Sequence, residues 1–337
     1  MTNFKLKVYQ QKKRSKKETK KIVDTWLETC PPWRKQEKVA YCDRHFDRQM
    51  RDEDRGKNFV LDPRNMSEEK INFALLLRRP LLVEGHPGIG KTSLAYHLAW
   101  FLGLGEPLRW EINSRTTLAD GLYSYDAVEH LRHSSKHLQN DQELGDQVKD
   151  SNRSDTMNNI GEFITLGPLG TALLPTATPR VLIIDELDKA NFDLPNDLLH
   201  VFEEGAFKIP ELVRSGDEQK VVPFDSQSSL DRVTINHGEV RTKHYPIVVI
   251  TSNGEREFSP AFLRRCVRLV LDYPTGEQLS KLVCQHLGIK ADKKLTDLCE
   301  ELSADHKPTD AVLNAIFLHY KCGLSLDEAK QVLNSPK

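Results

Sequence analysis

The 337-residue sequence predicts an α/β fold: a five-stranded parallel sheet between helices, with a small C-terminal helical lid. Three observations predict it. Short, continuous apolar runs alternate with helical segments over residues 58–273, the pattern of strands covered on both faces. A glycine-rich turn ending in Gly90-Lys91-Thr92 joins one such run to a helix. After residue 273 only helical periodicity remains.

Residues 1–57 are dense in charge, with Lys12, Lys13, Arg14, Lys16, Lys17, Lys20 and Lys21 interrupted only by Glu18. Ser15 and Glu18 have the spacing of a capping box, and Ile22, Trp26 and Leu27 would form the apolar edge of the helix it starts. This zone reads as a basic helical N-terminal appendage with a frayed tip. Trp26 and Trp33 would either anchor it or stack on bases.

The core spans 58–273. Its expected strands are Pro80–Glu84, Leu108–Asn113, Val181–Asp185, Ile247–Ser252 and Val267–Asp272. Helices are expected over Thr92–Leu102 and Leu194–Phe202, the second with Pro195 in its first turn and Gly205 as its stop. Between Leu131 and Ile160 the apolar pattern gives way to His, Ser, Asn, Asp and Gln, which reads as a mobile polar insertion near 118–165. Residues 274–337 form the lid. Thr275 with Gln278 and Ser325 with Glu328 are capping boxes, and Gly288 and Gly323 are stops. Leu279, Leu282 and Val283 should share one face, and Val312, Ile316 and Phe317 another. There is no internal repeat.

Composition narrows the function classes. Lys plus Arg number 48 against 49 Asp plus Glu, so net charge gives no reason to expect an anionic partner. No apolar run approaches the roughly 18 residues of a membrane span. Met1–Lys21 lacks the apolar stretch of a secretory signal, and six scattered cysteines are too sparse for a disulfide framework. A reducing cytoplasm is the expected compartment.

Gly85-His86-Pro87-Gly88-Ile89-Gly90-Lys91-Thr92 fits G-x-x-x-x-G-K-[ST], with Ser93 next in the same helical turn. In that motif glycines turn backbone N–H groups toward phosphate oxygens, and the helix N-terminus adds a favourable dipole. Lys91 would reach the outer phosphates and the Thr92 hydroxyl would hold Mg²⁺. Downstream, Val181-Leu182-Ile183-Ile184 delivers Asp185 and Glu186 at a strand end, where open α/β sheets bind ligands. Asp185 would orient Mg²⁺ and its waters, and Glu186 would polarise an attacking water. The alternative is that both merely cap the next helix. An adjacent Asp-Glu pair favours hydrolysis over transfer to a bound acceptor.

A further apolar strand ends in Ile250-Thr251-Ser252-Asn253, followed by Gly254-Glu255-Arg256-Glu257-Phe258-Ser259-Pro260-Ala261-Phe262-Leu263-Arg264-Arg265-Cys266. Together with the two preceding motifs this resembles AAA+ ATPases, and more narrowly their MoxR-type branch, over residues 58–325. The resemblance implies ATP as the nucleotide. It implies Asn253 as the sensor-1 residue and Arg265, with Arg264 its rival, as an arginine finger acting on a neighbouring subunit. It implies a homo-hexamer or similar ring that remodels a protein client or works with a partner subunit. By the same resemblance, Thr116–Leu169 corresponds to an insertion and Phe207–Tyr245, within 207–245, to the hairpin before sensor 1. The match weakens at His306-Lys307-Pro308-Thr309-Asp310, where a sensor-2 arginine is missing and Lys307 is the candidate substitute.

Other signals point elsewhere. His130, His133 and His137 have helical spacing for a metal, but their polar setting favours a solvated face. Cys30, Cys42 and His45 lack the paired spacing of a zinc site. The basic run could bind nucleic acid, making a nucleic-acid motor or defence-complex subunit the second reading; a nucleotide-gated switch with little turnover is the third.

Overall fold

The structure, a computed structural model, describes residues 7–10, 14–36, 39, 50, 53–61, 66–143, 160–215, 219–225, 232–304, 307–325 and 328. Leu81–Glu84 (β1), Leu108–Glu111 (β2), Val181–Asp185 (β3), Ile247–Ser252 (β4) and Val267–Val270 (β5) form one sheet. Its order is β5-β1-β4-β3-β2, and every neighbouring pair is parallel. The expected five-stranded parallel sheet is therefore present. Because all strands run one way, Glu84, Asp185 and Ser252 end along a single rim.

The strands are apolar throughout because each face meets its own core. Leu82, Leu182, Ile184, Val248 and Ile250 enter one apolar cluster, while Leu81, Val83, Val181, Ile183 and Val249 enter the other. This is the two-residue alternation of a pleated strand. Full burial of each such side chain contributes about 1.5–3 kcal/mol. On the second face lie Lys16–Glu28 (α1), Ser67–Leu77 (α2) and Lys91–Leu102 (α3). Leu194–Glu204 (α4) packs on the first, entered at Pro195 and stopped by Gly205 in the left-handed region.

The N-terminal zone differs from the appendage expected of it. Ser15 and Glu18 do form the capping box of α1. However, Val8, Tyr9, Val23 and Trp26 are buried in the core of the second face. Tyr9 and Asn72 exchange two hydrogen bonds, from Tyr9 N to Oδ1 (2.9 Å) and from Nδ2 to Tyr9 O (2.8 Å). Trp26 Nε1 donates to Leu75 O (2.9 Å), and the Arg78 guanidinium lies 3.9 Å from its ring centroid. Basic residues dominate the composition here, but a few large apolar ones decide the packing. Trp33 remains 74% exposed.

In the polar insertion, Thr117 and Asp120 form a capping box, and Tyr123–Tyr125 pairs antiparallel with Ile164–Leu166. Ala127–Glu143 is helical, so the polar tract begins as a helix. Residues 144–159, and Lys12, Lys13, Cys42, His45 and His306, lie outside the described residues. Between α4 and β4, Ala206–Lys208 pairs with Glu239–Arg241, and Gln219–Val221 with Val233–Ile235. The buried Arg180–Asp225 ion pair (2.7 Å) ties this region to the start of β3.

Gly276–Leu287 (α5), Lys293–Ala304 (α6) and Thr309–Cys322 (α7) make the lid around Leu279, Val283, Leu295, Leu302, Val312 and Ile316. Phe317 departs from its expected face. It follows Ile316 directly, is turned about 100° around the helix, and is 45% exposed. Among the described residues no helix is long and apolar enough to cross a membrane.

Candidate active site

The turn between β1 and α3 is built on glycine. Gly85, Gly88 and Gly90 have φ of 154°, 77° and 93°. A Cβ on Gly85 would stand 2.5 Å from Leu271 O, and one on Gly88 would stand 2.8 Å from Asp310 Oδ1. Only glycine lets this loop lie so close to the sheet and the lid. His86 stacks on Tyr273, with centroids 5.1 Å apart. Pro87 lies in the turn, and Ile89 packs against the core. Ser93 Oγ accepts from Arg55 Nε (3.2 Å).

Lys91 reaches back across the loop. Its Nζ donates to Gly85 O (2.7 Å), His86 O (2.8 Å) and Asn253 Oδ1 (2.6 Å), which uses all three ammonium protons. Burial lowers its pKa, against the charges of Asp188, Glu186 and Asp185. Asn253 Nδ2 in turn donates to Glu186 Oε1 (3.1 Å). Lys91, Asn253 and Glu186 thus form one hydrogen-bonded chain from loop to strand end.

Asp185 Oδ1 accepts from Thr92 Oγ1 (3.1 Å) and Thr251 Oγ1 (2.7 Å). Its Oδ2 accepts from Arg109 Nε (3.0 Å) and Nη2 (2.7 Å). Burial works against the Asp185 charge, but the hydrogen bonds from Thr251, Arg109 and Thr92 outweigh it and hold the carboxyl below its usual range. Glu186 adopts φ 59°, ψ 50° and makes no side-chain cap bond to the short 3₁₀ turn Leu187–Lys189 that follows. Lys189 Nζ donates to Glu186 Oε2 (2.6 Å), and this bond is the main cause of the lowered Glu186 pKa. Two hard-oxygen groups, Thr92 and Asp185, therefore meet beside a lysine-bearing glycine loop. That donor set fits a small divalent cation that keeps most of its ligands as water and phosphate oxygens.

Residues 80–266, more than half of the chain, match the AAA domain of the dynein-related subfamily. The chain belongs to this family. The gas vesicle ATPase GvpN1 of Halobacterium salinarum is 26% identical over 245 residues, covering 71% of this chain and 59% of GvpN1. The chain thus spans less than two thirds of that relative's length. Three solved structures resemble it at 14–15% identity. Domain III of Thermotoga maritima DnaA covers 85% of this chain and 99% of its own (TM-score 0.40). A variant of T. maritima RuvB covers 80% and 68% (0.38), and C. elegans PCH-2 covers 83% and 70% (0.38).

The remaining sequence-predicted residues lie outside the hydrogen-bonded chain from Lys91 to Glu186. Arg265 pairs with Glu203 at the end of α4 and donates to Ala261 O (3.3 Å), while Arg264 is exposed beside it. Lys307 precedes Pro308 and Thr309, whose N–H donates to Gly88 O (3.1 Å), so the lid docks directly on the loop. His130 does not lie on a solvated face. Its Nδ1 bonds the Tyr125 hydroxyl (2.6 Å) and its ring stacks on Phe163, which His133 also meets edge-on. No group of three metal-ligating side chains occurs among the described residues.

A cleft of about 170 Å³ opens beside the loop. Its walls come from Phe59 and Val60 before the sheet, Gly88–Gly90, and Leu282, His286 and Leu313 of the lid. Sequence reading missed this cleft, and with it Arg109, Thr251, Asp188 and Lys189. Thr251 carries a signal, being polar within an apolar strand. Asp188 and Lys189 follow the Asp-Glu pair after Leu187 but resemble any helix start. Arg109 alternates with Leu108 and Trp110 and reads as an ordinary outward residue of an edge strand.

Proposed function

We propose that this AAA-domain chain is an ATPase, hydrolysing ATP with Mg²⁺ as a ring of identical subunits that remodels a protein client. The observation that carries the reading is the continuous connection of Lys91, Asn253 and Glu186 beside the Thr92–Asp185 pair. The ATPase in GvpN1's name supports the activity. The MoxR-type branch, the chaperone role and the ring rest on the motif resemblance set out above.

Gly85–Gly90 would wrap the phosphates, Thr92 and Asp185 would hold the cation, and the cleft of Phe59 and Leu313 would take the base. Bound Mg²⁺ supplies charge neutralisation on the phosphate oxygens. Lys91 has no unused proton, so contact with a phosphate oxygen requires it to give up one of its three bonds, and Asn253 Oδ1 is the one side-chain acceptor among them, free to turn away. That release lets the Asn253 amide turn toward the reacting phosphate. Glu186, held ionised by Lys189 and Asn253, would orient and polarise the attacking water; its lowered pKa suits it to orienting more than to retaining a proton. Arg265 would leave Glu203 and stabilise transition-state charge on the neighbouring subunit's nucleotide.

Light scattering on Glu186→Gln with Mg-ATP, alongside turnover of wild type and Arg265→Ala, tests this. A nucleotide-dependent ring is expected from the first variant. The second should lose about 10²-fold or more of turnover while still binding ATP. A monomer under all conditions, with turnover indifferent to Arg265, would remove the ring mechanism.

A further inference from the structure

Asp185 is saturated by protein donors. Four hydrogen bonds from Thr92, Thr251 and Arg109 occupy its two oxygens, which is the full capacity of a carboxylate. Its side chain is 9% exposed, so these donors fill almost all of its surroundings. Two of the four come from one guanidinium fork on one oxygen, Oδ2. The Arg109 side chain is itself 42% exposed, and its remaining nitrogen, Nη1, lies 3.1 Å from Glu111 Oε1. Glu111 is two residues along β2, on the same face, and 73% exposed. The guanidinium is therefore strung between a buried carboxylate in the site and an exposed one outside it.

We propose that Arg109 is a displaceable counter-ion for Asp185. It competes with the divalent cation for Oδ2 and moves onto Glu111 when a metal nucleotide enters. This rests on Thr92 and Asp185 being the metal-holding pair.

Three physical arguments lead there. A buried carboxylate without a partner is costly, so a counter-charge keeps Asp185 ionised and oriented when no metal neutralises it. Oδ2 already accepts two hydrogen bonds, both from the Arg109 fork, so a cation or its bound water gains this oxygen only when at least one arm of the fork lets go. Arg109 has a place to go that Thr92 and Thr251 lack: Glu111 is already in contact, and the exposed guanidinium shifts without rearranging a core. The two threonine hydroxyls stay on Oδ1 and fix the carboxylate while Oδ2 changes partner. The arrangement sets metal affinity below what Asp185 alone would give and ties metal entry to a movement on the edge strand.

The probe is Mn²⁺, titrated by electron paramagnetic resonance into the ADP-bound 337-residue chain, so that binding is read without turnover. Arg109→Gln should bind Mn²⁺ about twofold to fivefold more tightly than wild type, the range set by a partly exposed ion pair. Arg109→Lys retains the charge but not the bidentate fork, and should still tighten binding by about twofold or more. Glu111→Gln removes the alternative partner and should weaken binding. Wild-type affinity in Arg109→Lys would reduce Arg109 to a background charge and overturn the proposal, as would weaker binding in Arg109→Gln. Asp185→Asn separates the two readings. If it leaves Mn²⁺ binding intact, the metal assignment itself fails. If it abolishes binding while the Arg109 variants match wild type, only the counter-ion role fails.

Discussion

Asp188 holds Asn253 in place without touching the Gly85–Gly90 loop. Its Oδ2 accepts from the backbone N–H groups of Asn253 (2.8 Å) and Glu255 (3.0 Å), while its Oδ1 is buried with no partner among the described residues. Two main-chain donors on a turn after β4 thus depend on one carboxylate at 3% exposure. Asp188→Ala would leave both unpaired, at a cost of about 1–3 kcal/mol each before water relieves them. We expect lower stability, and turnover that falls about tenfold or more while nucleotide affinity changes little, because the fault lies in the orientation of Asn253. Urea unfolding together with turnover and fluorescent-nucleotide titration checks this; turnover equal to wild type would refute the positioning role. The contrast with Lys91 and Glu186 explains what was legible at this scale. Those two stand in motifs whose spacing marks them out in the sequence. Asp188 and Arg109 act through side-chain bonds to residues distant in sequence, and no local pattern distinguishes them from a helix cap or a solvent-facing strand residue.

At the scale of elements, the strands and their parallel order followed from apolar runs, because burial on both faces leaves few other solutions. The joining of the N-terminal segment to α3 did not, because it depends on a buried polar link. His97 of α3 bonds Gly56 O through Nδ1 (2.7 Å) and the Tyr9 hydroxyl through Nε2 (3.0 Å). A carbonyl only accepts, so Nδ1 carries the proton and neutral Nε2 accepts from Tyr9. Protonation would turn that acceptor into a donor facing a hydroxyl. Burial lowers the His97 pKa, outweighing the bond to Gly56 O. His244 is pushed down to about 4, first by burial and then by Arg78 and Lys243. Both groups bind protons more readily unfolded than folded, so stability rises with pH in this range. Their contribution is fully present above the ordinary histidine value of about 6.5 and is lost as pH falls from there toward the folded values. Denaturation midpoints should therefore drop between about pH 7.5 and about pH 5, and His97→Gln should flatten part of that slope. A midpoint independent of pH would contradict both assignments.

For the whole molecule, the cleft gathers segments that the chain encodes far apart: Phe59 and Val60, the Gly88–Gly90 loop, and Leu282, His286 and Leu313 of the lid. The sequence marks the loop but not the walls, which are ordinary apolar residues until the fold brings them together. Phe59 is the wall that ties this cleft to the N-terminal packing. Its ring lies 5.4 Å from that of His97, and it is the nearest side chain to the Gly90 Cα direction, at 3.6 Å from a Cβ placed there. If the base of the nucleotide lies in this cleft, the wall acts on binding and the Lys91–Asn253–Glu186 chain acts on turnover. Phe59→Ala removes an aromatic surface worth about 1–2 kcal/mol against a flat ligand, a loss of about tenfold in affinity. Saturating turnover should stay within about twofold, because the residues at the phosphate are untouched. The same loss should appear as stability. Ligand at about 100 times Kd stabilises a protein by about 2.7 kcal/mol, so at fixed ADP the variant should show a smaller rise in melting temperature than wild type. Thermal melts across an ADP series, read beside turnover, separate the outcomes: unchanged ADP stabilisation would move the base out of the cleft, and a collapse of saturating turnover would make Phe59 part of the reacting machinery.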